Sequence, residues 1–275
     1  MPVISTNTAA NSAVYYLNVN SNQESQALSE LSSGSRIVNA SDDAAGLAIS
    51  TRIESDVSVL EQAATNSSHA VSVLQTADGG ASNISDILTQ MKSLASEAAS
   101  GTESDSDRAY INDEFQQLSQ EIDSIASGTR YNDESLLDGT SSFASGVTVM
   151  VGSSASDTIT VTLSNLSASS LGVSSLDVSS QADANTALTQ LDSAIDTVSA
   201  ARAEIGAQES RFNFSSNDVQ TNEQNLESAN SAITDVDVAS EESVLSSAEV
   251  KTQAAVAAAA QANKMPQYLL NLLES

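Results

Sequence analysis

A strict seven-residue repeat of apolar side chains constrains the fold of this chain more than any other feature. The repeat runs without a gap through Leu191, Val198, Ile205, Phe212, Val219, Leu226 and Ile233. A partner stripe begins at Ala184, Leu188 and Ile195 and turns polar from Arg202 onward. Sustained heptads predict helices that wrap around one another in a left-handed supercoil.

Two segments nearer the start show related helical patterns. Apolar positions alternate steps of three and four from Ile53 to Ala98, and a shorter pattern runs from Ile111 to Ile125. The acidic, serine-rich residues 103–107 suit the N-terminus of the shorter helix, where side-chain oxygens and negative charge meet unpaired amides. Gly79-Gly80 interrupts the longer pattern and predicts a local irregularity of that helix.

The apolar period changes to two between residues 140 and 180. Two alternating runs flank a polar turn over residues 152–157; their apolar members are Val147, Val149, Val151, Ile159, Val161 and Leu163. This period predicts one β-hairpin, followed by a serine-rich connector.

Both chain ends carry weaker helical patterns. The heptad of the first 33 residues is interrupted by Ser21 and Glu24, and the last segment combines an alanine run over 254–260 with a leucine-rich close. Such helices are marginal alone, and antiparallel pairing of the strong helices would bring the two ends together. We therefore predict that the ends polymerise. The candidates for burial between subunits are Val14, Leu17, Leu28, Leu31, Val256, Leu269, Leu270, Leu272 and Leu273.

Composition excludes several classes of partner. The 36 acidic and 9 basic residues give a formal net charge of -27, which would repel nucleic acid and anionic membranes. Cysteine is absent, so disulfides and thiol chemistry are excluded. The start, residues 1–10, has no signal-peptide pattern, and no apolar segment has the length of a membrane span.

No group of residues points to catalysis, a cofactor or a metal. His69 follows Ser67 and Ser68, but neighbouring side chains on a helix do not face each other, so a solvated histidine is the interpretation. Carboxylate pairs such as Asp42-Asp43 and Asp133-Glu134 are spread along the chain and suit caps and solvated faces. We predict that the chain is not an enzyme.

Four stretches at the two termini resemble bacterial flagellin, in order along the chain. They are Val3–Asn7, Leu28–Ile37, Asp42–Ile49 and Ala260–Gln267, and Arg211-Phe212-Asn213 is similar to a further flagellin segment. The resemblance covers residues 1 to 140 and 180 to 275. It implies paired terminal helices in the core of a filament, a helical stem around them, and a middle insert that is almost absent here.

The resemblance also implies partners and sites. The implied partners are further copies of the chain in a homopolymer, an export chaperone, a cap protein and hook-junction proteins. The implied route is export through the flagellar channel to the cell exterior. The resemblance implies a Toll-like innate receptor epitope at Gln90, Leu94 and Glu114, weakened because Gln90 stands where stimulatory members carry arginine. Some flagellins carry O-linked sugars, for which Ser141, Ser142 and Ser169 are candidates.

The fold class predicted is mainly α: an elongated antiparallel helical hairpin or coiled-coil stem with one small β-hairpin, and terminal helices forming the filament core. The expected divisions are 1–44 (core helix and linker), 45–139 (stem helices), 140–180 (hairpin and connector), 181–234 (stem helix) and 235–275 (linker and core helix). The expected function is a structural subunit of the flagellar filament. A hook-filament junction protein, a coiled-coil scaffold or adhesin, and a serine hydrolase are the alternatives.

Overall fold

The computed structural model describes residues 7–273, with side chains up to residue 267. In that part of the chain there are six helices and two pairs of short strands. In chain order they are α1 Thr8–Ser33, α2 Ala44–Ala98, α3 Asp105–Gly128, β1 Arg130–Tyr131, β2 Glu134–Ser135, α4 Ser142–Ser145, β3 Val147–Met150, β4 Thr158–Val161, α5 Gln181–Thr234 and α6 Val238–Leu273. The predicted mainly α fold is confirmed.

The chain forms two compact units. The first, which we call the terminal unit, contains the residues up to Ser55 and those from Asn225 onward, and the second, the stem unit, runs from Asp56 to Gln224. Both divisions fall inside continuous helices, within α2 and within α5, rather than at the helix ends near residues 44 and 235.

The part of the α5 heptad that lies in the stem unit is in its core, as the period predicts. Five of its members are at most 4% exposed: Leu191, Val198, Ile205, Phe212 and Val219. The first four of these belong to one core cluster with fully buried side chains of α2 and α3, including Leu88, Met91 and Phe115. The ion pairs Lys92–Asp192 and Arg202–Asp78 show that α2 and α5 run antiparallel here.

The turn from α2 to α3 is closed by two capping devices. Ser104 and Asp107 form a capping box at the start of α3, in agreement with the acidic pattern there. The buried Arg108 donates from Nε to the Ala98 carbonyl at 2.8 Å and from Nη2 to the Ser100 carbonyl at 2.8 Å. Its guanidinium therefore satisfies carbonyls that the end of α2 leaves unpaired.

The irregularity predicted at Gly79-Gly80 is wrong, because α2 continues through both glycines. A Cβ atom on Gly80 would lie 2.4 Å from Thr129 Oγ1 and 2.9 Å from Leu137 Cδ1, whereas one on Gly79 would meet nothing within 4 Å. Gly80 thus serves close packing against the segment that follows α3, and not a change of backbone conformation.

The hairpin predicted from the period-two pattern is confirmed. Strands β3 and β4 pair antiparallel, with Val147 opposite Val161 and Val149 opposite Ile159. The buried Gln208 of α5 attaches the chain beyond β4 to the stem: its Oε1 accepts from Thr162 N at 3.2 Å, and its Nε2 donates to Thr162 O at 2.9 Å. One amide side chain thus pairs with both backbone groups of that residue.

The serine-rich connector is held by polar side chains of α3. Asp123 Oδ1 accepts from Ala168 N at 2.8 Å, and Gln116 Nε2 donates to Leu176 O at 2.6 Å. Leu166, Val173 and Val178 are fully buried in the same stretch. The connector therefore extends the stem core.

A second, shorter strand pair was not predicted. Arg130 pairs with Ser135 and Tyr131 with Glu134, around a turn in which Asn132 and Asp133 have φ of 50° and 67°. Two positive φ values in a two-residue loop define the type I′ turn of hairpins, which asparagine and aspartate tolerate best among non-glycine residues. The Asn-Asp pair was the available sequence signal.

Candidate functional site

The two terminal helices pack against each other through a seam of small side chains, and we call them the terminal pair. Among the side chains of α6 that the structure describes, the buried ones are Ala248, Ala255 and Ala262, seven residues apart, and α1 contributes Ala10 and Ala27. Alanine carries only a Cβ atom, so the two backbones can approach closely but little apolar area is buried at each contact. A seam of this kind therefore stabilises the pairing of the two helices only weakly.

Asn7 fastens one end of the terminal pair. Its Oδ1 caps α1 by accepting from Ala10 N at 3.0 Å, while its Nδ2 donates to the Ala262 carbonyl at 2.8 Å. One side chain therefore begins α1 and sets its register against α6, and the contact shows that the two helices run antiparallel.

The other end of the pair is fastened by the two linkers. Gly34 ends α1 in the left-handed region at φ 72° and accepts from Val236 N at 3.2 Å, while Arg36 N donates to Thr234 O at 2.6 Å. The Arg36 side chain then donates from Nε and Nη2 to Ile233 O at 3.1 and 2.7 Å. A backbone hydrogen bond thus joins the linker 34–43 to the linker 235–237, and Arg36 joins the first linker to the last two residues of α5.

Large apolar side chains of the terminal pair remain on its surface because alanines occupy the seam. Those more than a third exposed are Val14, Tyr15, Tyr16, Val19, Leu28, Val238, Val244, Val250, Val256 and Met265. Tyr15 and Tyr16 are 64% and 60% exposed, and Val250 is 64% exposed. An apolar surface of this extent is typical of a chain whose helices are covered by other molecules.

The residues predicted for polymerisation fall into three groups. Val14, Leu28 and Val256 are 48%, 59% and 52% exposed. Leu17 and Leu31 are half-buried on the face of α1 that carries Ala10, so the chain itself partly covers them. The predicted Leu269, Leu270, Leu272 and Leu273 lie outside the residues whose side chains the structure describes.

The sequence reasoning missed the other exposed apolar side chains of the terminal pair: Tyr15, Tyr16, Val19, Val238, Val244, Val250 and Met265. The available signal was the heptad of alanines at 248, 255 and 262. It shows which face of α6 meets α1, and therefore which larger side chains point elsewhere.

Two carboxylates lie where the terminal helices meet. Glu30 is 8% exposed, and its Oε1 accepts from Gln26 Nε2 at 2.9 Å. Burial, and then the negative charge of Glu30, raise the pKa of Glu241 on α6 above its ordinary value. This end of the terminal pair therefore holds together in spite of a like-charge contact.

The described residues contain no group of three or more histidine and carboxylate side chains suited to a metal ion. The Ser67 hydroxyl is buried and donates to the Ala63 carbonyl at 2.9 Å, while His69 is exposed. Ser67 and His69 therefore do not form a nucleophile and base pair. Among residues 7–273, no helix combines the length and the apolar character needed to cross a membrane.

Comparison with known families identifies the family of this chain. Residues 4–142 match the family model of the bacterial flagellin N-terminal helical region, and residues 188–273 match that of the C-terminal helical region. The chain belongs to the bacterial flagellins. It is a structural protein that self-assembles into the flagellar filament for swimming motility.

Curated flagellins align with this flagellin over nearly their full lengths. It is 36% identical to the flagellin of Halalkalibacterium halodurans, over 98% of this chain and 99% of the relative. It is 35% identical to Bacillus subtilis flagellin, over 98% and 99% of the two chains.

Solved structures agree at the level of the fold. The Bacillus cereus flagellin crystal structure matches with a TM-score of 0.51 and 32% identity, over 56% of this chain and 88% of that one. A putative flagellar hook-associated protein from Vibrio parahaemolyticus matches with a TM-score of 0.59 at 16% identity, over 70% and 100%, a likeness of fold alone.

The structure also locates the other predicted site residues of this flagellin. Gln90 and Glu114 are exposed, whereas Leu94 is 6% exposed and belongs to the stem core. Ser142 and Ser169 are exposed. The Ser141 hydroxyl is buried, so Ser141 is a poor glycosylation candidate in the folded chain, because a transferase cannot reach its oxygen.

Proposed function

We propose that this flagellin polymerises through the exposed apolar side chains of its terminal pair. The alanine seam supports the proposal, because it joins α1 to α6 and leaves Val14, Leu28 and Val256 uncovered. Leu17 and Leu31 extend the same surface at the edge of the seam. The predicted leucines 269, 270, 272 and 273 would continue it toward the C-terminus.

The energetics favour completion of the terminal pair by neighbouring copies. A seam of alanines buries little area, whereas full burial of a valine or leucine side chain contributes about 1.5–3 kcal/mol. Several such contacts in each subunit are enough to oppose the repulsion between chains of net charge -27. Because salt screens that repulsion, assembly should strengthen as ionic strength rises.

The proposed parts of the filament follow the divisions of the chain. Residues 1–44 and 235–275 form its core, 45–139 and 181–234 the surrounding stem, and 140–180 its outer surface. We place the protein outside the cell, exported through the flagellar channel. A cap protein would act at the growing tip and hook-junction proteins at the base.

An export chaperone is proposed to cover α6 before assembly. The exposed Val238, Val244 and Val250 on that helix would otherwise meet water or associate prematurely. The chaperone and a neighbouring subunit would then use overlapping parts of the same helix.

We propose no catalytic activity for this chain. The support is the Ser67 hydroxyl, which is buried and donates to its own helix, and the exposed position of His69. Purified protein tested against ester substrates should release no product above the rate of a His69→Ala variant.

Recognition by a Toll-like innate receptor is proposed to be weak. Contact would rest on the exposed Gln90 and Glu114, since Leu94 is buried. Glutamine lacks the charge and the five donors of arginine. In a reporter-cell assay Gln90→Arg should raise potency, and full potency of the unmodified monomer would overturn the proposal.

O-linked sugars are proposed at Ser142 or Ser169. Both residues are exposed in segments outside the long helices, although the Ser142 hydroxyl donates to Glu134 Oε2 at 3.0 Å. An intact mass equal to the sequence mass would exclude them.

Seeded polymerisation tests the assembly proposal. Heat-dissociated monomer is mixed with filament seeds and salt, and the products are viewed by electron microscopy, beside a version that lacks residues 1–33. The full chain should elongate the seeds and the shortened chain should not, since α1 is missing. Equal elongation by both chains would exclude the terminal pair as the polymerisation surface.

A further inference from the structure

An apolar groove opens in the stem unit beside the β3–β4 hairpin. Its volume is 330 Å³, and its apolar lining includes Ala70, Val73, Phe143, Val147, Val149 and Val161. A cavity of about 150 Å³ can hold a benzene molecule, so this groove has room for one aromatic ring.

The lining of the groove carries no negative charge, although the chain as a whole is strongly acidic. The residues lining it include His69, Asn66 and Thr148 but no carboxylate, in a chain with 36 acidic residues. A second copy of this acidic chain can therefore approach the groove without meeting a like charge in its lining.

Phe214 carries an aromatic ring that its own chain does not bury. It is 75% exposed, the highest fraction among the large hydrophobic side chains described, whereas Phe212 two residues earlier is fully buried. Two residues correspond to about 200° around an α-helix, so the two rings point to nearly opposite sides of α5. The exposed Arg211 lies one turn before Phe214.

We propose that the Phe214 ring of one subunit inserts into the hairpin groove of a second copy of this chain. The inference depends on the self-assembly of flagellins and adds a specific contact between stems. In a filament each subunit would insert its Phe214 ring into one neighbour and receive the ring of another, which is a heterologous contact. Heterologous contacts that do not close into a ring generate open helical assemblies, which is the symmetry of a filament.

Tyr110 is the competing candidate for the groove and the matched control. It is 72% exposed. Its phenolic hydroxyl remains hydrated in water, and Asp107, Asp113 and Glu114 lie within four residues of it on α3. Phe214 has no polar atom to solvate and only Asp218 at that spacing, so its burial is the more favourable.

Disulfide trapping tests the contact directly, because the chain has no cysteine of its own. Met150, which lines the groove and is 41% exposed, is replaced in one chain (Met150→Cys), and Phe214→Cys is made in another. Both are doped as minor fractions into unmodified subunits, so that filaments form and are verified by electron microscopy before oxidation. Met150→Cys with Tyr110→Cys is the control pair.

Disulfide-linked dimers of Met150→Cys with Phe214→Cys should form in filaments and should be absent from monomer. Their yield should exceed the yield from the control pair at least about tenfold. Intact filaments without this dimer, or an equal yield from the Tyr110→Cys pair, would overturn the proposal without affecting self-assembly. Independently, Phe214→Ser should raise the critical concentration about tenfold, and Tyr110→Ser less than about twofold. The reverse order would also overturn it.

Discussion

Arg202 of α5 holds Asp78 of α2 with two hydrogen bonds, from Nε to Oδ1 at 2.8 Å and from Nη2 to Oδ2 at 3.3 Å. Arg202 stands where the second stripe of the α5 heptad turns polar. The hydrogen bond that the guanidinium donates to Asp78 raises the pKa of Arg202 above its ordinary value. A forked ion pair therefore replaces an apolar contact at the edge of the stem core.

Replacing Arg202 should weaken the stem modestly. Both side chains are 39% exposed, and exposed pairs contribute about 0.2–1 kcal/mol, so Arg202→Gln should cost under about 1 kcal/mol. Arg202→Lys keeps the charge but cannot make the forked pair of hydrogen bonds, so it should retain only part of the stability that Arg202→Gln loses. Urea unfolding of Arg202→Gln, Asp78→Asn and the double variant measures the coupling. Strictly additive losses would mean that the pair contributes nothing.

Glu209 should make the stem less stable as pH rises. Burial, and then the charge of Asp78, raise the pKa of Glu209 above 4.5. The folded state then binds more protons than the unfolded state, so the stabilising contribution is present below the ordinary pKa and is lost as pH rises through the raised value. Glu209→Gln should raise the thermal midpoint at pH 7 and flatten its pH dependence above pH 4.5.

The exposed Glu204 supplies the control for that measurement. Glu204→Gln removes one carboxylate from an exposed position and should raise the thermal midpoint at pH 7 less than Glu209→Gln does. An equal effect of the two substitutions would point to the net charge of the chain rather than to the site of Glu209.

The two neighbouring glycines of α2 should respond in opposite directions to alanine. Gly79→Ala places its Cβ in open space and should stabilise the chain by about 0.5–1 kcal/mol through helix propensity. Gly80→Ala forces Thr129 or Leu137 to move and should destabilise it by about 1–3 kcal/mol. Denaturant unfolding measures the change in the free energy of unfolding of each variant. Changes of the same sign would contradict the packing assigned to Gly80.

Gln208 should be sensitive to loss of its amide. Gln208→Leu leaves the Thr162 N–H and C=O without their partner, which should cost about 1–3 kcal/mol. The exposed Gln220 on the same helix is the control, and Gln220→Leu should change stability by less than about 0.5 kcal/mol. Faster hydrogen exchange at the Thr162 amide in Gln208→Leu would show that the lost contact is the cause.

Exposed side chains of α1 should affect assembly without affecting the monomer. Val14→Ser and Leu28→Ser remove apolar surface that the chain does not bury, so each should raise the critical concentration about tenfold while leaving monomer helicity unchanged. Ser29→Ala, an exposed neighbour of Leu28, is the control. Loss of monomer helicity in the serine variants would assign these side chains to folding instead.

Sequence reasoning was most accurate where one period is repeated. The α5 heptad predicted the buried set from Leu191 to Val219, and the alternating apolar residues predicted the β3–β4 hairpin. It failed at Gly79-Gly80, since propensity carries no information about how closely another segment packs. It also missed the strand pair at Arg130–Ser135, where two-residue strands are too short to show a period.

The sequence by itself determined that this chain is helical, where its long helices lie, and to which family it belongs, because periodicity and terminal motifs are local properties of the chain. Only the tertiary structure decided which face of each terminal helix turns inward. Close approach of two backbones favours alanine, so Ala27 and Ala255 occupy the seam while Leu28 and Val256, one position later, remain exposed. The alanine heptad of α6 is the one local trace of that choice, whereas the residues of α1 that meet it depend on pairing with a segment more than 200 residues away.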